Sequence, residues 1–332
     1  MIRKRILWFA ILFLAIGAFG LIAFFLFLEN ATLKTQIDKQ TILLEEKRNA
    51  IVVSQNAGLM LLMDNVLQQV DEELSGNVSR TLSDETILRI AALSNAFKPI
   101  KYSLERGQLL LSLALKKMNP ESWSAILEKT TFEYADLSNL ELQNIDMQNA
   151  RLRWSNFRNS KLEGANLKNA FLKDSDFSGA ILNNAILTKV NMDRSIMNWA
   201  ELNNSRIDSA SIQGAQMENV KLRNANLSHT SLKRSHLSGA VLTNATLFIT
   251  DCWGTNFMRA NLKNANLEEA TLVLTDFSEA NLSNTNINQA LIKNEDWFKE
   301  LERKNAIGVK ELKKIYIPKV EKSFYRLRKK ES

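Results

Sequence analysis

The side chains best suited to catalysis or metal binding are few in this sequence of 332 residues. It has two histidines, His229 and His236, and a single cysteine, Cys252. Neither histidine has acidic or cysteine neighbours at the spacing of metal ligands, so we expect no metal site. One cysteine allows no internal disulfide, and Cys252 is more typical of a small buried apolar residue.

Other patterns of catalytic residues are also missing from the sequence. Serines are frequent, but none lies beside a base that could activate it. The glycines do not form a phosphate-binding loop after a strand. The acidic residues are spread along the chain, which suits solubility better than acid–base chemistry. We therefore predict that the protein is not an enzyme and binds no cofactor and no small-molecule substrate.

The dominant feature of the sequence is a five-residue repeat between residues 130 and 294. From Phe132 to Ile292, every fifth residue is apolar at 33 consecutive positions, which we call centres. Two residues before each centre, 31 of 33 residues are Ala, Ser, Thr or Val, with Leu140 and Ile145 as exceptions. Two residues after the centres, 18 of the 32 residues from 139 to 294 are Asn or Gly, which tolerate the positive φ of a tight turn. A register held this long indicates an internal repeat that determines the fold.

A period of five matches neither an α-helix nor a flat strand, so the chain must turn after every repeat. One large and one small side chain of each repeat would then point inward, and three would face water. Four repeats that turn through right angles would close a square coil of about 20 residues, and about eight coils stacked at the strand spacing would form a rod roughly 40 Å tall.

The motif Ala-Asn-Leu, found at residues 165–167 and 280–282, resembles that of the pentapeptide repeat family. The resemblance implies an all-β solenoid, a right-handed quadrilateral β-helix. Most members of the family resemble scaffolds without an assigned activity, whereas the best-understood members mimic DNA and protect DNA gyrase from quinolones. Residues 130–297 carry 16 basic and 18 acidic residues. Such a balanced charge is a poor imitation of DNA.

Residues 1–28 predict a membrane anchor. Ile6 to Leu28 is a run of 23 residues without charge, long enough to cross a bilayer as a helix. A cleaved signal peptide is the alternative, but its apolar core would be shorter. The basic residues 3–5 place the N-terminus in the cytoplasm by the positive-inside rule. The sequence thus predicts a single-pass protein of the bacterial cytoplasmic (inner) membrane, with the bulk of the chain extracytoplasmic.

Residues 29–129 predict a helical stalk followed by capping helices. Residues 30–75 suit either a short coiled coil or a plain amphipathic helix. Ser83 and Asn119 have the character of N-caps, and an apolar helix is expected between the two helices they begin. We expect the helix after Asn119 to cover the open end of the rod, because an uncovered coil would expose unpaired backbone and apolar side chains.

Residues 295–332 predict a small α/β cap with a basic tail, similar to the C-terminal cap of some bacterial pentapeptide repeat proteins. We expect two helices separated by a turn at Asn305 and Gly308, followed by a short hairpin around Pro318. Residues 298–332 contain 12 basic and 5 acidic residues. The basic end is either a solvated tail or a contact for anionic lipid or another polyanion.

Five apolar residues occupy outward positions near the end of the repeats: Phe248, Ile249, Trp253, Val273 and Leu274. In a regular square coil, Trp253 and Val273 lie one above the other, and the remaining residues lie beside or around the corner from them. Such a patch marks a contact with a partner or a second copy, or else the seat of a cap that folds back. We predict a membrane-anchored scaffold that binds protein, with no nucleic-acid partner. A DNA-mimicking topoisomerase-binding protein is the alternative.

Overall fold

The computed structural model describes residues 57–99 and 101–331, nearly all within the compact unit Gly58–Ser332. Its body is a stack of coils made by the five-residue repeats. Each repeat pairs in parallel with the repeat twenty residues later, as Asp136 does with Asn156. Four repeats therefore complete one coil, which confirms the predicted solenoid. The β structure is sparse, with one bridge residue per repeat, because the chain turns before a longer strand can form.

The interior of the stack is filled by the centre residues. All 33 of them, from Phe132 to Ile292, are at most 3% exposed. Some stack directly on their equivalents in the next coil, and the rings of Phe157 and Phe177 lie 4.5 Å apart. Burial of a large apolar side chain contributes roughly 1.5–3 kcal/mol. This internal column is therefore the main source of stability.

The small inward position of each repeat accepts serine and threonine because the backbone satisfies their hydroxyls. Ser160 Oγ, for example, donates to the Phe157 carbonyl at 2.8 Å. A buried hydroxyl without such a partner would be costly. The two large residues of this phase, Leu140 and Ile145, are only partly buried. The interior of a coil thus holds one large side chain per repeat.

Each repeat with a centre from Phe132 to Ile287 ends in a tight turn whose third residue has positive φ. From residue 134 to residue 289 this angle lies between 54° and 68°. The Leu162 turn is closed by a hydrogen bond from the Ala165 N–H to the Leu162 carbonyl at 3.0 Å. Positive φ at this position is the mark of a type II turn, which explains why Asn and Gly predominate there. We call this residue the turn position.

In the residues that the structure describes before the repeats, 57–99 and 101–129, there are four helices. Ser83 and Asn119 cap the second and fourth of them by accepting hydrogen bonds from the Thr86 and Ser122 N–H groups, which confirms both predicted N-caps. The helices are α1 over residues 57–75, α2 (Asp84–Ala96), α3 (Leu104–Ala114) and α4 (Pro120–Lys129).

The backbone of the first coil is closed by the residue before α3, while α4, which the sequence predicts to cover this end, buries Ile126 and Leu127 in the same core. Ser103 pairs in parallel with Ala135. Its N–H donates to the Tyr134 carbonyl at 2.6 Å, and its carbonyl accepts from the Asp136 N–H at 2.9 Å. Helix α3 can follow so closely because Gly107 has no side chain: a Cβ there would lie 2.1 Å from the Asp136 carbonyl oxygen.

Replacing Gly107 with Ala tests this closure. In an unobstructed helix the change would add up to about 1 kcal/mol of stability. At position 107 the methyl group must displace α3 from the first coil, so we expect a loss of about 2 kcal/mol, measured by urea unfolding. Gly58→Ala in α1 is the matched control, since nothing lies within 4 Å of a Cβ at that site. A higher unfolding midpoint for both variants would contradict this account.

The last coil is closed in the same manner from the C-terminal side. The Ile307 N–H donates to the Ala280 carbonyl at 2.8 Å, and the Ile307 carbonyl accepts from the Leu282 N–H at 2.9 Å. Gly308 follows with φ of 85°, and a Cβ there would lie 2.7 Å from the Ser283 backbone. Each end of the stack thus has one paired residue with a glycine nearby, and at the C-terminal end Leu327 also bonds to the backbone of Gln289 and Ala290.

The C-terminal cap contains the two predicted helices and a three-stranded antiparallel sheet. The hairpin turns after Glu321, whereas the sequence predicts a turn around Pro318. Pro318 lies instead in the edge strand of the sheet, where a missing N–H is tolerated. The elements are β1 (Leu291–Ile292), α5 (Trp297–Arg303), α6 (Val309–Ile315), β2 (Tyr316–Glu321) and β3 (Phe324–Lys329), with sheet order β1-β3-β2.

The predicted localisation as a single-pass protein of the bacterial inner membrane is wrong for the chain that the structure describes. Between residues 57 and 331, leaving out residue 100, no helix is both long and apolar enough to cross a membrane. A spanning helix needs about 20 mostly apolar residues, whereas α1 carries Asp64 and Asp71. The predicted span from Ile6 to Leu28 lies outside the described residues.

Candidate interaction surface

The histidine and cysteine side chains of the repeats have structural surroundings. The His229 ring packs edge-on against Phe248, with ring centroids 5.8 Å apart. Cys252 is fully buried at a centre position, and burial raises the pKa of its thiol. In the described ranges, 57–99 and 101–331, no group of three or more His, Cys, Asp or Glu side chains could hold a metal ion.

The five apolar residues singled out from the sequence lie at two neighbouring corners of the stack, and we call them the corner patch. Trp253, Val273 and Leu274 occupy turns at one corner, with Val273 one coil beyond Trp253. The Val273 carbonyl accepts a hydrogen bond from the Gly254 N–H at 2.9 Å, which joins these two coils. Phe248 and Ile249 form the preceding corner of the Trp253 coil.

The corner-patch residues differ in exposure. Leu274 is 50% exposed and Ile249 is 40% exposed, whereas Val273 is only 4% exposed. Phe248 and Trp253 are half-buried. The expectation that Val273 faces solvent therefore does not hold, and the accessible part of the patch consists of the other four residues.

The C-terminal cap is bonded to other residues of the repeats. Trp297 packs edge-on against Phe277, with ring centroids 6.1 Å apart. Lys304 Nζ lies 3.1 Å from an Asp276 carboxylate oxygen. In the part of the chain that the structure describes, the hydrogen bonds, ion pairs and ring contacts of the cap with the repeats reach residues 276–292. They leave Ile249 and Leu274 accessible.

A surface cleft of about 530 Å³ adjoins the patch and shares Trp253 with it. The guanidinium carbon of Arg234 lies over the Trp253 ring, 5.0 Å from its centroid. Lys233 Nζ lies 2.9 Å from Asp251 Oδ2, and the backbone N–H of Trp253 donates to Asp251 Oδ1 at 3.2 Å. We call this the Arg234 cleft; its lining comprises Gln213, Gly214, Lys233, Arg234, Asp251, Trp253 and Thr271.

Reasoning from the sequence missed Arg234, although the signal is present there. Arg234 occupies a turn position, and glycines occupy the equivalent positions twenty residues before and after it, Gly214 and Gly254. A search for outward apolar residues overlooks this arrangement because it consists of an arginine between two glycines, which have no side chains. Comparing residues twenty apart would have found it.

The parallel pairing at twenty-residue spacing and the buried column of centres define this protein as a four-sided β-solenoid of five-residue repeats. The sequence profile described as pentapeptide repeats finds eight copies in this chain. The matched segments are residues 125–164, 160–198, 185–224, 221–247 and 250–294. These matches cover about half of the sequence. The chain belongs to the pentapeptide repeat family.

Two solved structures illustrate the likeness. HetL, a pentapeptide repeat protein involved in heterocyst differentiation regulation in the cyanobacterium Nostoc, is 22% identical over 57% of this chain and 93% of its own, with a TM-score of 0.30. QnrB1, a plasmid-mediated fluoroquinolone resistance protein, is 16% identical over 51% of this chain and 95% of its own, with a TM-score of 0.32. No curated protein sequence matches the chain.

Proposed function

We propose that this protein is a non-enzymatic interaction module, in which the solenoid is a rigid scaffold that presents the corner patch to a protein partner. The observation that carries this proposal is the conformation of Ile249. This β-branched residue has φ of 55° and is 40% exposed. Left-handed backbone is unfavourable for a β-branched residue, and an exposed side chain gains little packing in return. Strain of this kind is typical of functional surfaces.

The charged side chains of the stack support a scaffolding role. Several pair along the rod with a side chain one coil away, as Lys161 does with Glu141 at 2.5 Å and Lys221 with Glu201 at 2.6 Å. Such pairs neutralise each other at the surface and do not converge on a site. Exposed ion pairs contribute little stability individually. Because these charges pair with each other along the rod, the corner patch stands out as a distinct apolar surface.

A DNA-mimicking, topoisomerase-binding role is the alternative that the family suggests. A mimic of DNA would need a surface dominated by negative charge, because DNA carries one charge per roughly 1.7 Å of its axis. Residues 130–297 instead carry 16 basic and 18 acidic residues. The charge balance therefore favours the protein-interaction module.

Replacing Ile249 with Asn tests the proposed function. Asn tolerates left-handed backbone, so we expect the free energy of unfolding to rise by about 1 kcal/mol. The same change removes an exposed apolar side chain from the corner patch and should weaken binding at least about fivefold. Binding is measured in cells by a photo-crosslinking amino acid at position 274 of the full chain, which should yield a discrete adduct with another polypeptide.

Position 264 is the matched control for the crosslinker. Asn264 lies ten residues before Leu274, on the opposite corner of the stack, and its φ of 60° is close to the 59° of Leu274. We expect no discrete adduct from position 264. Identical adducts from both positions, or an adduct from position 274 that survives Ile249→Asn at full yield, would refute the corner patch as the interaction surface.

A further inference from the structure

We infer that the Arg234 cleft receives a carboxylate side chain of the partner, so that the partner segment presents an Asp or Glu next to apolar residues. The inference rests on the proposed function, because the cleft shares Trp253 with the corner patch. It adds the chemical class of the partner segment, which is acidic and apolar together.

The other arginines at turn positions of the repeats show what this position normally binds. Arg194 donates from Nε and Nη2 to the two carboxylate oxygens of Asp174, at 2.7 and 2.8 Å. Arg259 Nε donates to Glu279 Oε2 at 2.8 Å. In both pairs the acid occupies the same turn position one coil away. An arginine at this position therefore lies within reach of a carboxylate that stands one coil before or after it.

Arg234 has no such acid in either direction. The turn position one coil before it is Gly214, and the one after it is Gly254. Within the described residues the Arg234 side chain makes no ion pair and no hydrogen bond, and its contact is the ring of Trp253. Gly214, which lines the cleft, leaves open the space beside Arg234 that corresponds to the position of Asp174 beside Arg194. A carboxylate from outside the chain can enter that space.

The charges around the cleft favour an anion. Arg234 and Lys233 are cationic, and Asp251 is the one acid of the lining. Asp251 is already bonded to Lys233 and to the Trp253 N–H. The guanidinium of Arg234 therefore remains without a counter-ion in the described structure. A guanidinium stacked on an aromatic ring keeps its N–H edges available, and these match a carboxylate in a bidentate arrangement.

The position of the cleft indicates that the carboxylate belongs to a protein segment. Arg234 and Lys233 are exposed, so a free small anion would stay in contact with water and bind weakly. A partner that covers Trp253 and Leu274 would exclude water from the Arg234 pair. Arginine and tryptophan that are desolvated together are the residues that most often dominate binding energy.

The test uses the full chain labelled with 5-fluorotryptophan and two capped tripeptides, acetyl-Leu-Glu-Leu-amide and acetyl-Leu-Gln-Leu-amide. The ¹⁹F resonance of Trp253 is assigned with a Trp253→Phe variant. We expect the Glu peptide to shift this resonance saturably, and the Gln peptide to bind at least about tenfold more weakly, because it lacks the charge. Absence of a saturable shift, or equal affinity for both peptides, would overturn the inference.

Two arginine variants complete the test. Arg234→Gln should reduce the affinity for the Glu peptide about tenfold. Arg206→Gln, an exposed arginine on another column of the stack, should leave it unchanged. An unchanged affinity in Arg234→Gln would refute the carboxylate site. If the adduct from position 274 also persists in Arg234→Gln at full yield, the carboxylate inference fails while the proposed function stands. If positions 274 and 264 give the same adducts, both the proposed function and the carboxylate inference fail.

Discussion

Ala215→Phe is expected to lower the free energy of unfolding by about 3 kcal/mol or more. Ala215 is at the small inward position and is fully buried. Ser195 and Ser235, its equivalents in the neighbouring coils, are also fully buried, so a phenyl ring has no free volume along the stack. A coil that cannot close also loses its pairing with both neighbours, because each coil of a solenoid contacts only adjacent ones. Urea unfolding followed by circular dichroism measures the loss.

Gln216→Phe is the matched control for this substitution. Gln216 follows Ala215 directly, is exposed, and forms parallel bridges with Ile196 and His236 in extended backbone. Aromatic residues suit such positions, so we expect a change within about 0.5 kcal/mol. Ser209 would serve less well, because its φ of 61° is itself unfavourable for Phe. Equal losses in the Ala215 and Gln216 variants would refute the assignment of inward and outward positions.

The sequence predicts the solenoid well because every contact within the stack occurs at a fixed separation. A residue type recurring every five positions determines which side chains are buried, and the centres from Phe132 to Ile292 are buried as predicted. The turn follows from the same register, since Asn and Gly mark the position of positive φ. No long-range pairing has to be inferred beyond the repeat itself.

The closure of the two ends could not be predicted in this way. Ser103 and Ile307 each pair with a coil from outside the repeat, and no periodic pattern connects them to Ala135 or Asn281. From the sequence alone, Gly107 would be interpreted as a residue that weakens a helix. Only the structure shows that a side chain there would meet the Asp136 carbonyl. Contacts of this kind depend on how separate elements meet, which the local pattern does not contain.

The candidate site could be predicted only in part, because the repeat phase gives the direction of a side chain but not its contacts in the assembled stack. Apolar residues at outward phases identify the corner patch, because phase alone separates inside from outside. Phase does not predict the burial of Val273, which is 4% exposed, since that depends on its neighbours in the assembled stack. The absence of an acid beside Arg234 follows from the predicted coil of 20 residues, which makes Gly214 and Gly254 its neighbours, but a search for outward apolar residues does not examine it.

Arg106→Met is expected to lower the free energy of unfolding by about 3 kcal/mol. Arg106 is 7% exposed and links α3 to α2 and to the first repeat. Its Nε donates to the Ser94 carbonyl at 2.9 Å, Nη2 to the Phe97 carbonyl at 2.9 Å, and Nη1 to the Glu133 carbonyl at 2.5 Å. Methionine fills much of the volume but cannot donate hydrogen bonds to the three carbonyls. Each buried carbonyl left without its donor costs roughly 1–3 kcal/mol.

The expected loss is smaller than the sum of three bonds because Arg106 itself carries a cost. Burial disfavours its charged form and lowers the pKa of the guanidinium from its ordinary value, with the carboxylate of Glu133 opposing this shift. Methionine removes that desolvation cost along with the bonds. The net effect is therefore close to the loss of one or two well-buried hydrogen bonds to a charged group, about 3 kcal/mol in all.

Arg89→Met provides the control, because the same substitution is made at an exposed arginine of α2. Its side chain is 55% exposed and pairs with Glu85 at 2.7 Å, one helical turn away. Such a pair contributes about 0.5 kcal/mol or less. We also expect faster hydrogen exchange of the Asp136 N–H in Arg106→Met, since this amide is bonded to the Ser103 carbonyl that closes the first coil. If both arginine variants lose the same small amount of stability and this amide stays protected, Arg106 does not fasten the helices to the solenoid, and the closure depends on Ser103 and Gly107 alone.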